Sequence, residues 1–126
     1  MIAYKVVRVV DGKLLSAWIK KCAVEYAVGE FVHAPKGTAL AVFDTIQHAR
    51  DWETRLFDLS DVFRTIYKVE ATKSVMQPRT FFMTNSNLDA VSVRRFWRHW
   101  KKAIDFPWKT PQGTIFCTKV KLLHLI

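Results

Sequence analysis

Residues 4–10 have the period-two, β-branched character of a strand, and Asp11-Gly12 behind them is a strong hairpin signal ahead of a second strand over 14–19. These two strands are expected to pair. Residues 22–28 again read as strand up to Gly29, and the stretch through Pro35 and Gly37 reads as irregular. Residues 39–43, Ala-Leu-Ala-Val-Phe, form a nearly continuous apolar run bounded by turn residues. That is the pattern of a strand covered on both faces, so it is the candidate central strand.

At residue 44 the period changes. Asp44 and Thr45 offer a helix N-cap, with Gln47 in capping-box spacing from Asp44. Ile46, Ala49, Trp52 and Leu56 then recur on one helical side, interrupted by Glu53, while Arg50, Asp51, Thr54 and Arg55 fall outside the stripe. Residues 64–71 return to strand composition, and Phe81, Phe82 and Met83 make a short apolar patch that fits strand or loop. Asn85-Ser86-Asn87 introduces a second helix over 88–104. Pro107 then requires a loop, Pro111-Gln112-Gly113 a turn, and residues 114–123 read as the last strand.

This order predicts an α+β fold: a single small domain over 1–126, with an antiparallel or mixed β-sheet and two helices packed on it. The apolar-face residues Val42, Phe43, Trp52, Val69, Phe96, Trp100, Val120 and Leu122 are expected to share one core. A chain of 126 residues, 50% of them hydrophobic, is long enough to build one.

Lys20, Lys21, Arg50, Lys68 and Arg79 interrupt the apolar stretches before any reaches the roughly 20 residues of a membrane-spanning helix. Residues 1–13 lack the uninterrupted apolar segment of a secretory signal. Cys22 and Cys117 stand in neither metal-like nor redox-like spacing, so they are expected to be reduced, unpaired thiols in a cytoplasmic protein.

Charge changes the picture more than size does. The net charge is +9, and residues 1–72 carry ten Lys/Arg against nine Asp/Glu, whereas residues 73–126 carry ten against only Asp89 and Asp105. One part of the surface is therefore expected to meet a polyanion. At 100° per residue, Val93, Phe96, Trp97, Trp100, Ala103 and Ile104 occupy one arc of the second helix, and Arg94, Arg95, Arg98, His99, Lys101 and Lys102 fill the other. No acidic residue lies between Ala90 and Ile104 to relieve like-charge repulsion at spacings such as Arg94 to Arg98. Phosphates along a nucleic acid would relieve it, with arginine gripping them bidentately.

The candidate contacts are thus Arg94, Arg95, Arg98, Lys101, Lys102 and Lys109. Phe106 and Trp108, which flank Pro107 beside Lys109, are the candidates for base stacking, since Trp97 and Trp100 lie on the apolar arc. The ordinary alternative for this helix is a solvated basic face. A different class of function is a small interaction or inhibitor module, of the kind viruses and mobile elements carry, whose basic helix meets an acidic protein surface. A third and weaker option is a small nucleotide-binding or enzymatic domain.

Chemistry of that third kind has little to stand on. Gly12, Gly29, Gly37 and Gly113 are isolated, which excludes a P-loop or dinucleotide fingerprint, and His33, His48, His99 and His124 have no zinc-binding spacing. Glu25, Tyr26, His33 and Glu70 are the side chains a cleft would have to gather. The reading is a binding module, leaning away from an enzyme, with no metal and no cofactor; DNA, RNA and protein partners stay open.

Overall fold

In a computed structural model the chain is described over residues 1–17, 24–54, 63–80, 90–101 and 109–126. Strand β1 (Ile2–Val10) turns through Asp11 and Gly12, whose φ angles are 50° and 77°, into β2 (Lys13–Ser16). Two consecutive positive φ values make the tight turn whose twist matches paired strands, and Asp-Gly tolerates them. The strands β3 (Glu25–Tyr26), β4 (Phe31–His33) and β5 (Leu40–Phe43) follow. After them come helix α1 (Ile46–Thr54), strand β6 (Phe63–Lys73), helix α2 (Ala90–Arg98) and strand β7 (Thr114–Leu125).

Every pairing among these strands is antiparallel. β6 runs along one edge of β1, from Ile2 opposite Glu70 to Val9 opposite Phe63, and its other edge pairs with β7. β7 pairs with β5, and β5 returns to β1 at a single position, Tyr4 opposite Phe43. The four strands β1, β6, β7 and β5 therefore close into a ring. β2 takes over the edge of β1 from Val7 to Val10 and carries β3, while β4 takes the later part of the edge of β7.

This overturns the expected α+β sheet with two helices packed on it. The molecule is mostly β: a small closed barrel with three added strands and two short helices. Closure depends on pairing β1 with β5 and β6 with β7, contacts between distant segments that leave no local mark in the sequence. β4, only three residues long, falls in the stretch read as irregular.

The expected single core is likewise two layers, as the alternating directions of strand side chains require. Ala3, Val7, Leu40, Val42, Val69, Ala71, Cys117, Val120 and Leu122 pack together with Tyr26 and fill the ring. Val6, Ala41, Phe43, Ile66 and Phe116 point out of it and are covered by Ala49 and Trp52 of α1 and by Val93, Phe96 and Trp97 of α2. Trp52 meets Phe43 with ring centroids 5.5 Å apart. All four residues of β5 are buried because they contribute to both layers, as the unbroken apolar run implied.

β7 has two irregularities against β6, at Leu123 and at Thr118, and the one at Thr118 reconciles the two layers. Thr72 faces Lys119 but Lys73 faces Cys117, so Thr118 is an extra residue and the alternation resets there. Phe116 points outward and Cys117 inward, and beyond Thr118 it is Val120 and Leu122 that point inward while Lys119 and Lys121 stay outside.

Candidate nucleic-acid interface

Helix α2 lies on the excursion between β6 and β7, and the stem of that excursion is tied by hydrogen bonds. Gln77 Nε2 donates to the Phe116 carbonyl at 2.7 Å, and the Phe116 amide donates to Gln77 Oε1 at 3.0 Å, so one side-chain amide pairs with β7 as a strand would. The Thr110 amide donates to the Arg79 carbonyl at 2.8 Å, the Thr110 hydroxyl donates to the Pro78 carbonyl at 2.8 Å, and Thr80 forms a β-bridge with Lys109. Both ends of the excursion are thereby held against the barrel.

The helix itself is seated by aromatic packing. Val93, Phe96 and Trp97 are buried, Trp97 meets Phe116 edge-on with centroids 5.4 Å apart, and Trp100 packs against the same layer. Trp97 is thus a core residue. The helix ends at Arg98 and residues 99–101 form a turn, so it is shorter than the span expected from the apolar period.

Arg94, Arg95, Arg98, His99 and Lys101 are exposed on the opposite side, and Lys101 Nζ rests 5.7 Å from the Trp100 ring centroid. Among the described residues no carboxylate lies within ion-pair distance of the three arginines. Arg95 and Arg98 fall in the last turn, where they also complement the helix dipole. Lys109 is exposed at the stem. Lys102, Phe106 and Trp108 lie outside the described residues, as does Cys22.

The side chains proposed for a cleft are not brought together. Tyr26 points into the barrel, His33 and Glu70 lie on its outer face, and Glu25 is exposed on β3. Among the described residues no group of three His, Cys, Asp or Glu side chains is placed to hold a metal ion. No helix there is long and apolar enough to cross a membrane.

Two arrangements escaped sequence reasoning. The first is Lys5, whose strand position sends it into the barrel. Its Nζ donates to the Ala41 carbonyl at 2.6 Å and sits 5.5 Å from the Tyr26 ring centroid. Burial pulls this amine down from 10.5 to about 8, with the nearby Cys117 thiol partly opposing the shift. Burial pushes the Cys117 thiol up to about 11, against the pull of Lys5, and holds the Tyr26 phenol well above its ordinary value. Among the described residues the Tyr26 hydroxyl has no hydrogen-bond partner. Lys5 works at the place where β1 exchanges β5 for β2 as its neighbour, and its ammonium occupies a carbonyl there. The crevice beside it, about 170 Å³ including open solvent and lined by Lys5, Val6, Ala17, Ala41, Phe43 and Trp52, is below the size of a small-molecule site.

The second is on the outer face, where Phe31 lies opposite Lys121 and His33 opposite Lys119. Lys119 Nζ and Lys121 Nζ stand 4.5 Å and 4.7 Å from the Phe31 ring centroid, and Lys121 also reaches the Glu70 carboxylate at 3.4 Å. Only the cross-strand register of β4 and β7 brings these residues together.

No family model matches this chain, and neither the curated proteins nor the solved structures hold a significant match to it.

Proposed function

We propose that the protein is a binding module that contacts the phosphates of a nucleic acid through the outward face of α2. The observation that carries this reading is the unmixed arginine face: Arg94, Arg95 and Arg98 are exposed, and among the described residues no carboxylate lies within ion-pair distance of them, on a helix whose other side is locked into the core. Three fixed cations on one short helix repel one another in water, and that repulsion is relieved by an anion with several negative centres. Lys101 extends the face, Lys109 stands at the stem below it, and Lys102 follows Lys101 in the chain. The module belongs in the cytoplasm, where nucleic acids occur and a reduced thiol such as Cys117 is the ordinary state.

The test is fluorescence anisotropy of a labelled oligonucleotide across a salt series. Binding should weaken steeply with salt, and each single change of Arg94, Arg95, Arg98 or Lys102 to Ala should reduce the log-log slope by about 0.7–0.9 without moving the melting temperature. A fourfold Ala variant that binds with an unaltered slope overturns the reading. Absence of oligonucleotide binding, together with loss of a protein complex on Arg98→Glu, would move the site to an acidic protein partner.

A further inference from the structure

We propose a second contact surface on the outer face of β4 and β7, fitted to single-stranded nucleic acid, in which Phe31 stacks on a base while Lys119 and Lys121 take the flanking phosphates. It deepens the reading that α2 binds nucleic acid, since it specifies which form of the polymer the barrel accommodates.

Phe31 is 37% exposed, and what sets it apart is that two lysine side chains stand over its ring. Two ammonium groups stand within 5 Å of one ring centroid, and Glu70 is the carboxylate that reaches Lys121. An exposed contact of this kind holds a lysine only weakly. Both ammoniums can exchange these contacts for phosphates, Lys121 giving up Glu70 as it does so, which uncovers the ring for a base. An aromatic side chain between basic ones on an open sheet face is the arrangement that suits an unpaired strand, because every base offers a stacking face and the charges follow the backbone. A duplex keeps its bases stacked on one another and has no use for the ring. His33, opposite Lys119 on the same outer face, widens the surface.

The bulge at Thr118 makes the two surfaces compatible. It resets the alternation so that Phe116, on which α2 rests through Trp97, and Lys119 and Lys121 all face outward on one strand. Lys119 and Lys121 lie three and five residues beyond Phe116, about 10 to 17 Å at strand spacing. That spacing sets the lysines clear of the strand segment on which α2 is seated.

The test compares a labelled oligothymidylate of about 20 nucleotides with a duplex of the same length, on the full-length protein at fixed salt. Phe31→Ala should weaken single-strand binding by at least about fivefold and leave duplex binding unchanged. Phe31→Trp should retain single-strand binding, which separates stacking from a folding defect. Lys119→Ala with Lys121→Ala should lower the single-strand salt slope by about 1.4. The α2 variants should weaken both substrates. If Phe31→Ala and the double lysine variant bind oligothymidylate like the parent while the α2 variants fail, this surface is not a contact and the α2 reading stands. If the Phe31 effect persists while the α2 variants are silent, this surface stands and the α2 reading falls. Equal losses on single strand and duplex from Phe31→Ala would overturn the stacking role.

Discussion

Lys5 shows how much one side chain can hide from its sequence position. Its lowered ionisation makes a specific demand on the pH dependence of stability. Between about pH 8 and 10.5 the unfolded chain holds the Lys5 proton more tightly than the folded one, so stability rises with pH as that proton leaves both states. Cys117 acts in the opposite direction from about pH 9, where the unfolded thiol ionises while the buried one stays protonated up to about 11. The net climb is confined to about pH 8 to 9 and should amount to about 1 kcal/mol, measurable by urea denaturation. Lys5→Met should flatten it, and a climb that survives this change would mean another group is responsible. Gly113 makes a second demand at this scale. Its φ is 83°, and a Cβ there would run into the Asp44 carboxylate and the His48 ring, which are joined at 2.6 Å. Gly113→Ala should therefore cost about 2 to 3 kcal/mol, of which about 1 kcal/mol for the backbone conformation should remain in a background where Asp44→Ala with His48→Ala has already made room. Thermal melts of Gly113→Ala in the parent and in that background separate the two parts. Nothing in the Pro-Gln-Gly-Thr turn motif reveals that Asp44 and His48 press against it.

Among the elements, the locally encoded ones were legible in the sequence. The Asp11-Gly12 hairpin, the doubly covered run of β5 and the buried stripe of α1 through Ala49 and Trp52 each depend on neighbours a few residues away. The helix start is legible to within one residue, and the structure selects Thr45, whose hydroxyl accepts from the His48 amide at 3.1 Å. Gln47 donates instead to Asp51 at 2.8 Å, so it closes no capping box with Asp44. Thr45→Ala should cost about 1 kcal/mol of stability, whereas Asp44→Ala should cost less because it caps no backbone amide. Equal losses in both would relocate the cap. The apolar face of α2 was legible too, with Val93, Phe96 and Trp97 buried and Arg94, Arg95 and Arg98 outside. Phe31, Lys119 and Lys121 were not, because their meeting needs the antiparallel register of β4 on β7 and the extra residue at Thr118.

For the whole molecule, what the sequence left open is the closure of the barrel, because its deciding contacts join segments far apart in the chain. Closure is also uneven. β6 is paired along most of its length with both β1 and β7, whereas β1 and β5 meet at Tyr4 and Phe43 alone, with the Lys5 to Ala41 bond beside them. Hydrogen–deuterium exchange should find the slowest amides in β6 and the part of β7 paired with it, with faster exchange by local opening along the β1–β5 seam. Uniform protection around the ring would contradict this. Under the proposed function, in which the protein binds a long anionic polymer, the ring has a further consequence. Many copies bound along one polymer are crowded together with their mutual charge repulsion neutralised, and under those conditions exposed strand edges template aggregation. Here the long strands spend both edges on one another, and the described strands that end the sheet, β3 and β4, have only two and three residues. Crowding on a polymer then leaves neighbouring copies little backbone with which to zip together.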